Sequence, residues 1–160
     1  MKKLFFLIAV FIGFGTIQAQ EDINVEMTEP THMDPVSVGA VLLDTNTENI
    51  KKIYIKASIM EGYHIYAHVP AGEAYISSEF GIDLPNGIEL VGEWEKSSPQ
   101  GYPGKNSILV YKGDNSYVHQ IKISDEVEKG TNFKCWIYYQ CCDVNICFPP
   151  KRKEIKLILN

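Results

Sequence analysis

The chain has 160 residues, which is enough for one domain with a substantial hydrophobic core. Without Lys2 and Lys3, 13 basic residues remain against 20 acidic ones, a net charge of −7. This acidic balance argues against nucleic acid and against an anionic lipid surface as partners.

The first residues predict a secretory signal peptide. Lys2 and Lys3 form a positive start, residues 4–14 are an unbroken apolar run, and Ala19 offers a small residue for cleavage. The apolar run is shorter than the roughly 20 residues of a membrane-spanning helix. We therefore expect residues 1–19 to be a signal peptide cleaved near Ala19, residues 20–160 to be a single exported domain, and the mature chain not to insert into a membrane.

The rest of the chain predicts β-strands. Apolar and polar residues alternate with a period of two, which is typical of half-buried strands. The strand candidates, in chain order, are residues 36–43, 53–60, 88–94, 107–111, 117–124, 133–140 and 154–159. Turn-forming residues separate them, at 44–49, 85–87, 112–115 and 128–130. Short strands with regular turns predict an all-β antiparallel sandwich.

Two segments do not follow the strand pattern. Residues 71–80 are compatible with one helical turn. Residues 95–106 are rich in Pro, Gly and Ser, with Tyr102 near the middle, and predict a long surface loop.

All four cysteines lie within residues 135–147. Along an extended strand Cys135 and Cys141 would be roughly 20 Å apart, far beyond the ~7 Å limit for a disulfide. A bridge between adjacent Cys141 and Cys142 would need a strained ring. Cys142 and Cys147 are separated by four residues, a common hairpin loop length, so their Cα atoms would lie about 4.5–5.5 Å apart. The spacing favours a Cys142–Cys147 bridge.

The alternation of residues 133–142 also predicts on which face of the strand each cysteine lies. Cys135 and Cys141 fall on the apolar face and are expected to be buried thiols. Cys142 falls on the mixed face and is expected to be the cysteine that a partner can approach.

The spacing alone leaves the role of such a bridge open. A disulfide that closes so small a loop stabilises a fold by only about 2 kcal/mol, which is a small contribution for a structural disulfide. A disulfide in a short surface loop is also easily reached by another thiolate. Copper(I) binding is a further alternative, because His64 and His68 are four residues apart and His32-Met33 lies near the mature N-terminus. No zinc-type arrangement of two Cys/His pairs is present in the sequence.

The segment YQCCDVNICFPP, residues 139–150, resembles the active-site segment of the N-terminal domain of the DsbD family of bacterial thiol:disulfide interchange proteins. Residues 61–66, EGYHIY, are similar to the family's Gly-aromatic-X-aliphatic-Tyr segment, and residues 84–87 give a weaker match. Cys141 stands where the family has a small residue.

The resemblance implies an immunoglobulin-like sandwich in the periplasm, with Cys142 and Cys147 as the redox pair and Cys147 as the cysteine that links to partners. It also implies a cap loop that shields the pair, at residues 93–105 with Trp94 and Tyr102 as candidates. The residues implied to surround the pair are His64, Tyr66, Tyr139, Gln140, Phe148 and Pro149.

The implied function is an electron relay. A thioredoxin-like domain or a membrane thiol reductase would reduce the disulfide, and the dithiol would then reduce oxidised periplasmic proteins without a cofactor or a metal. The alternatives are an immunoglobulin-like binding module with a structural disulfide and a periplasmic copper-binding protein.

Overall fold

The computed structural model describes residues 23–160, so the predicted signal peptide lies outside the described residues. This part of the chain forms eleven strands and no helix, and so it holds no helix that could cross a membrane. The strands are β1 (Val36–Asp44), β2 (Ile50–Ile59), β3 (His64–His68), β4 (Glu79–Asp83), β5 (Ile88–Lys96), β6 (Gln100–Tyr102), β7 (Lys105–Tyr111), β8 (Gly113–Ile123), β9 (Asn132–Tyr139), β10 (Cys141–Cys142) and β11 (Lys151–Ile158).

The strands form three antiparallel sheets. The first has the order β1-β2-β8-β5 and the second β11-β9-β4. The third has the order β10-β3-β7-β6, and because its four strands hold only two to seven residues each we call it the small sheet. β2 and β8 pair without interruption from Ile50↔Lys122 to Ile59↔Gly113. Because consecutive strands β7 and β8 belong to different sheets, the chain crosses from the small sheet to the first sheet within the single residue Lys112.

The main core follows the period-two pattern of the sequence. On β2 the buried residues alternate with half-buried ones, and β9 repeats this pattern across the sandwich. The two strands contribute Ile53, Ile55, Ala57, Ile59, Phe133, Cys135, Ile137 and Tyr139 to one cluster. Alternation places one side chain in two on the core face, so both sheets bury one face against the other. The predicted antiparallel β-sandwich is confirmed.

A second, smaller cluster belongs to the small sheet. Its buried members are Tyr66, Ile108, Val110 and Cys142, and Val69, Tyr75 and Tyr102 pack against it. Cys142, one of the two predicted redox cysteines, thus belongs to this smaller cluster and not to the main core.

The prediction of a helical turn in residues 71–80 is wrong. Residues 79–83 form β4, which covers the edge of β9 that β11 leaves unpaired. The Phe80 ring packs on Tyr117, with ring centroids 3.9 Å apart. The strand was hard to predict because Gly81 interrupts its apolar pattern. That glycine is needed, since a Cβ atom there would lie 2.2 Å from Trp136 Cζ2.

The prediction of a long loop at residues 95–106 is also wrong. β5 continues to Lys96, β6 pairs with β7, and the turn between β6 and β7 is only Pro103-Gly104. Gly104 has a φ of 78°, which glycine adopts without strain. Backbone pairing with β7 orders a segment whose composition alone indicates a loop.

The close approach of Trp136 to Gly81 gives a stability prediction. We expect Gly81→Ala to lower the free energy of unfolding by roughly 1–3 kcal/mol, because the new methyl group must displace a packed indole. Urea unfolding followed by circular dichroism measures this change.

Gly101→Ala is the matched control, since Gly101 also lies in a strand and a Cβ atom there meets nothing within 4 Å. We expect it to stay within about 0.5 kcal/mol of the parent protein. Equal effects of the two substitutions would contradict the packing argument.

Candidate functional site

The cysteine pair lies in a tight hairpin. β9 ends at Tyr139, and after Gln140 the chain enters β10 in the small sheet. The loop then closes through a backbone hydrogen bond from the Asp143 N–H to the Ile146 carbonyl, 2.9 Å. The Asp143 carboxylate accepts hydrogen bonds from the N–H groups of Asn145 and Ile146, at 2.6 and 2.7 Å. These two bonds lower the pKa of Asp143, so the loop is held by a charged acceptor.

The hairpin joins Cys142 to Cys147 in a disulfide, with Cα atoms 4.0 Å apart. The two residues form an isolated antiparallel bridge, and the Phe148 N–H donates to the Cys141 carbonyl at 2.8 Å to close the next position. The pairing favoured by the sequence spacing is the pairing in the structure. Cys135 and Cys141 are buried free thiols, as predicted.

The two cysteines of the disulfide differ sharply in exposure. Cys142 is 1% exposed, whereas Cys147 is an exposed residue. The expectation that Cys142 is the approachable cysteine is wrong. Cys141 stays with Tyr139 in the main core, as the alternation predicts, but the opposite face at Cys142 is covered by the cluster of the small sheet. β9 pairs with β11 and β4, but β10 pairs with β3, and this change of sheet turns Cys142 into the small cluster.

Tyr66 lies against the buried sulfur. Its hydroxyl donates a hydrogen bond to Cys142 Sγ at 3.4 Å. The ring is buried and stacks on Tyr75, with centroids 4.6 Å apart and planes 18° apart. Burial raises the pKa of Tyr66 far above its usual value, so the hydroxyl stays protonated and remains a donor.

His64 faces Cys142 across the β10–β3 pair, in direct register. Its ring lies 5.2 Å from the rings of both Tyr66 and Tyr102. Burial lowers the pKa of His64, the nearby charge of Lys112 adds to this effect, and Asp143 opposes it. The imidazole is therefore neutral at pH 7.

Gln140 joins the site to a neighbouring segment. Its side-chain carbonyl oxygen accepts a hydrogen bond from the Ile76 N–H at 3.2 Å. Ile76 follows Tyr75, the residue that stacks on Tyr66. Gln140 thereby helps to position the aromatic ring behind the tyrosine that contacts the disulfide.

The remaining sequence-predicted neighbours lie beside Cys141. Tyr139 is buried in the main core, Phe148 packs against Tyr63 with ring centroids 6.2 Å apart, and Pro149 is exposed. Tyr139, Phe148 and Pro149 line a cavity of roughly 290 Å³ together with Cys141. None of the three belongs to the cluster around Cys142.

The two cap candidates lie in different places. Tyr102, on β6, packs on the small cluster around Cys142. Trp94, on β5, packs on Phe80 and His119 beside the main core, with ring centroids 6.1 and 4.9 Å away. Only Tyr102 of this pair shares the cluster of Cys142.

Sequence reasoning missed two residues of the site. Asp143 could have been found, because an Asp followed by Asn two residues later is typical of a turn closed by a side-chain acceptor. Tyr75 could not, since it lies between β3 and β4 in a segment without periodicity and reaches Tyr66 only through the tertiary fold.

The histidines proposed as copper ligands do not form a cluster. His64 is buried at one end of β3, and His68 is exposed at the other end. Within residues 23–160, no three His, Cys, Asp or Glu side chains are grouped so that they could hold a metal ion. No observation favours the copper-binding alternative.

The fold and the hairpin define a class of protein: an antiparallel β-sandwich that carries a short-loop disulfide at the edge of a small sheet. Residues 33–159 match the family described as thiol:disulfide interchange protein DsbD, N-terminal. The chain belongs to this family, and its fold is the immunoglobulin-like sandwich of that domain. The family is periplasmic.

Several solved structures are similar to the chain. The reduced DsbD N-terminal domain of Neisseria meningitidis is 18% identical, with a TM-score of 0.46 over 76% of this chain and 84% of that one. The complex of the DsbD and PilB N-terminal domains from the same organism gives 15% identity and a TM-score of 0.43, over 74% and 80%. The GAE domain of yeast GGA1 gives 12% and 0.49, over 84% and 97%. No curated protein sequence matches the chain significantly.

The burial of the two free thiols gives a reactivity prediction. Burial raises the pKa of both Cys135 and Cys141 to about 12, so at pH 8 they are protonated as well as inaccessible. We expect the folded, oxidised protein to take up no iodoacetamide at these positions within an hour at pH 8, and two equivalents in denaturant. Peptide mass spectrometry locates the labels, and rapid labelling of either thiol in the folded protein would refute this description.

Proposed function

We propose that this protein carries electrons by thiol–disulfide exchange through Cys142 and Cys147. One observation carries the proposal: the disulfide has one exposed cysteine and one buried cysteine whose sulfur accepts a hydrogen bond from Tyr66. An attacking thiolate needs access to one sulfur and a stabilised leaving group at the other. Membership of the DsbD N-terminal family supports the same chemistry.

Reduction begins at Cys147. A thiolate of the donor attacks Cys147 Sγ, its electron pair forms the new S–S bond, and the bond between Cys147 and Cys142 breaks. Cys142 leaves as a thiolate and is then protonated. A second donor thiolate attacks the donor sulfur of the mixed disulfide, which oxidises the donor and leaves Cys147 as the second reduced thiol.

Oxidation by a client runs through the same steps in reverse. The Cys147 thiolate attacks the client disulfide and forms a mixed disulfide, and one client sulfur departs. Cys142 then attacks Cys147 Sγ, which re-forms the intramolecular disulfide and releases the client as a dithiol. Two electrons pass from protein to client, and the reaction uses no cofactor.

Tyr66 stabilises the charge that develops on Cys142. Its hydroxyl already points at Cys142 Sγ in the oxidised protein, 3.4 Å away. A hydrogen bond to a thiolate is stronger than one to a disulfide sulfur, because the acceptor carries a full charge. The bond therefore strengthens as the leaving group forms, which lowers the barrier to reduction.

Tyr102 serves as the cap residue in this proposal. It packs on the cluster that surrounds Cys142, and with His64 and Val144 it lines a groove of roughly 640 Å³ beside the hairpin. A partner that displaces Tyr102 would gain access to the buried side of the disulfide. Trp94, packed at the main core, stays in place.

The surroundings of Cys147 suit a protein partner. Val144 and Ile146, in the loop between the cysteines, are 89% and 64% exposed. Exposed apolar side chains next to a reactive group are typical of a docking site. We assign a thioredoxin-like domain or a membrane thiol reductase as donor, oxidised periplasmic proteins as acceptors, and export through the predicted signal peptide as the route to the periplasm.

The exposure difference predicts which cysteine links to partners. In Cys142→Ser the lone Cys147 thiol should attack a partner disulfide and remain attached, because the resolving sulfur is missing. Mixing this variant with a thioredoxin-like protein whose resolving cysteine is replaced, and whose remaining cysteine carries thionitrobenzoate as a mixed disulfide, should release thionitrobenzoate and leave the two proteins joined by a disulfide visible by non-reducing electrophoresis. The matched variant Cys147→Ser should give at least tenfold less adduct, since its remaining thiol is buried.

Equal trapping by the two variants would overturn the assignment of Cys147 as the linking cysteine. Absence of adduct from both variants, with both still folded, would favour a disulfide that only staples the hairpin. In that case the double variant should lose about 2 kcal/mol of stability and nothing else.

A further inference from the structure

His64 and the buried sulfur of Cys142 lie on one side of the small sheet. The two residues are directly opposed in the antiparallel β10–β3 pair. Directly opposed side chains project from the same face, with Cβ atoms about 4.5–5.5 Å apart. Tyr66, two residues along β3, shares this face and contacts Cys142 Sγ. The imidazole of His64 is therefore a neighbour of the sulfur that departs during reduction.

The outer nitrogen of this imidazole has no partner in the oxidised protein. His64 Nε2 is buried and makes no hydrogen bond to any residue in the range 23–160. A buried polar atom without a partner costs on the order of 1–3 kcal/mol and calls for an explanation. A disulfide sulfur has no proton to share, whereas a free Cys142 thiol can donate one to a neutral imidazole nitrogen.

We propose that His64 exchanges a proton with the Cys142 sulfur, accepting it when Cys142 attacks and returning it when Cys142 departs. This inference rests on the proposed function, since it requires the disulfide to open and re-form in the folded protein. It adds a specific role for His64, proton transfer to and from Cys142, to the position beside the disulfide that the resemblance implies.

The proton and electrons balance in each direction. When the disulfide re-forms, His64 accepts the Cys142 thiol proton and the sulfur electron pair forms the bond to Cys147 Sγ. The bond from Cys147 to the partner breaks, and the partner leaves as a thiolate that takes up a proton from the imidazolium. When the disulfide is reduced, the neutral imidazole takes the proton of the attacking donor thiol, and the imidazolium that forms then protonates the departing Cys142 thiolate. The donor dithiol is the reductant in this direction, and the partner disulfide is the oxidant in the other.

The charges around His64 suit this exchange. The titratable groups that face it or share its groove are Lys112 after β7, Asp143 in the hairpin loop, Glu61 before β3, Tyr66 on β3 and Tyr102 on β6. Burial and Lys112 lower the pKa of His64, which keeps the imidazole neutral and able to accept a proton at pH 7. Asp143 acts in the opposite sense and stabilises the imidazolium once it forms.

The test follows the reaction of the reduced protein with 5,5′-dithiobis(2-nitrobenzoic acid), which releases one thionitrobenzoate when Cys147 attacks and a second when Cys142 displaces the adduct. We expect His64→Gln to slow the second release at pH 7 by at least about tenfold, because general-base catalysis typically contributes a factor of about 10²–10⁴. The first release should change less than about twofold. Cys142→Ser identifies the second phase by lacking it, and His68→Gln, which alters an exposed histidine on the same strand, should match the parent protein.

An unchanged second release in folded His64→Gln would overturn the role of His64. Failure of the reduced parent protein to show any first release would instead refute the proposed function. If His64→Gln does not fold, an NMR titration of the parent imidazole decides: the pKa of His64 should differ between the reduced and oxidised protein by about one unit or more. Identical values in the two states would overturn the proposal.

Discussion

The site depends on one change of sheet. β9 ends at Tyr139, paired with β11 and β4, and two residues later Cys141 and Cys142 are paired with β3 in another sheet. Because of this change, Cys142 is buried in the cluster of the small sheet. The four-residue loop, which hydrogen bonds to Asp143 stabilise, places Cys147 at the surface. The difference in exposure between the two cysteines therefore follows from backbone pairing.

The disulfide and the core of the sandwich belong to two different hydrophobic clusters. The main core packs the two sheets of the sandwich together, and it holds the two buried free thiols, Cys135 and Cys141. Cys142 instead belongs to the cluster of the small sheet, with Tyr66 and two aliphatic side chains. We therefore expect that opening the disulfide perturbs the small cluster and leaves the packing of the sandwich in place, as the proposed function requires.

Aromatic side chains control the polarity of the small cluster. Tyr66, Tyr75 and Tyr102 exclude water from the buried sulfur, and each ring also carries a hydroxyl. In a region of low dielectric a single well-placed donor has a large effect on a developing charge. The hydroxyl of Tyr66 supplies this donor, and its raised pKa keeps the proton in place.

The sequence predicts the sandwich well, because period-two alternation survives in β2, β8 and β9, the strands that face the core. It also favours the Cys142–Cys147 pair, since hairpin geometry limits which sulfurs can meet. It fails where tertiary pairing overrides local pattern: β4 is interrupted by Gly81, and β6 lies in a segment rich in Pro and Gly. The expected exposure of Cys142 is wrong for a related reason, because the small sheet covers that side of the chain and nothing in the local sequence marks Gln140 as the point where the chain changes sheets.

The most direct test of the central claim compares two rates in the same solution: reduction of the disulfide by dithiothreitol and global unfolding of the oxidised protein. An exchange disulfide should be reduced much faster than the protein unfolds, with a rate that does not change across urea concentrations below the unfolding transition. A reduction rate that equals the unfolding rate and rises with it in urea would show that the sulfurs react only in the unfolded chain, and would contradict the account.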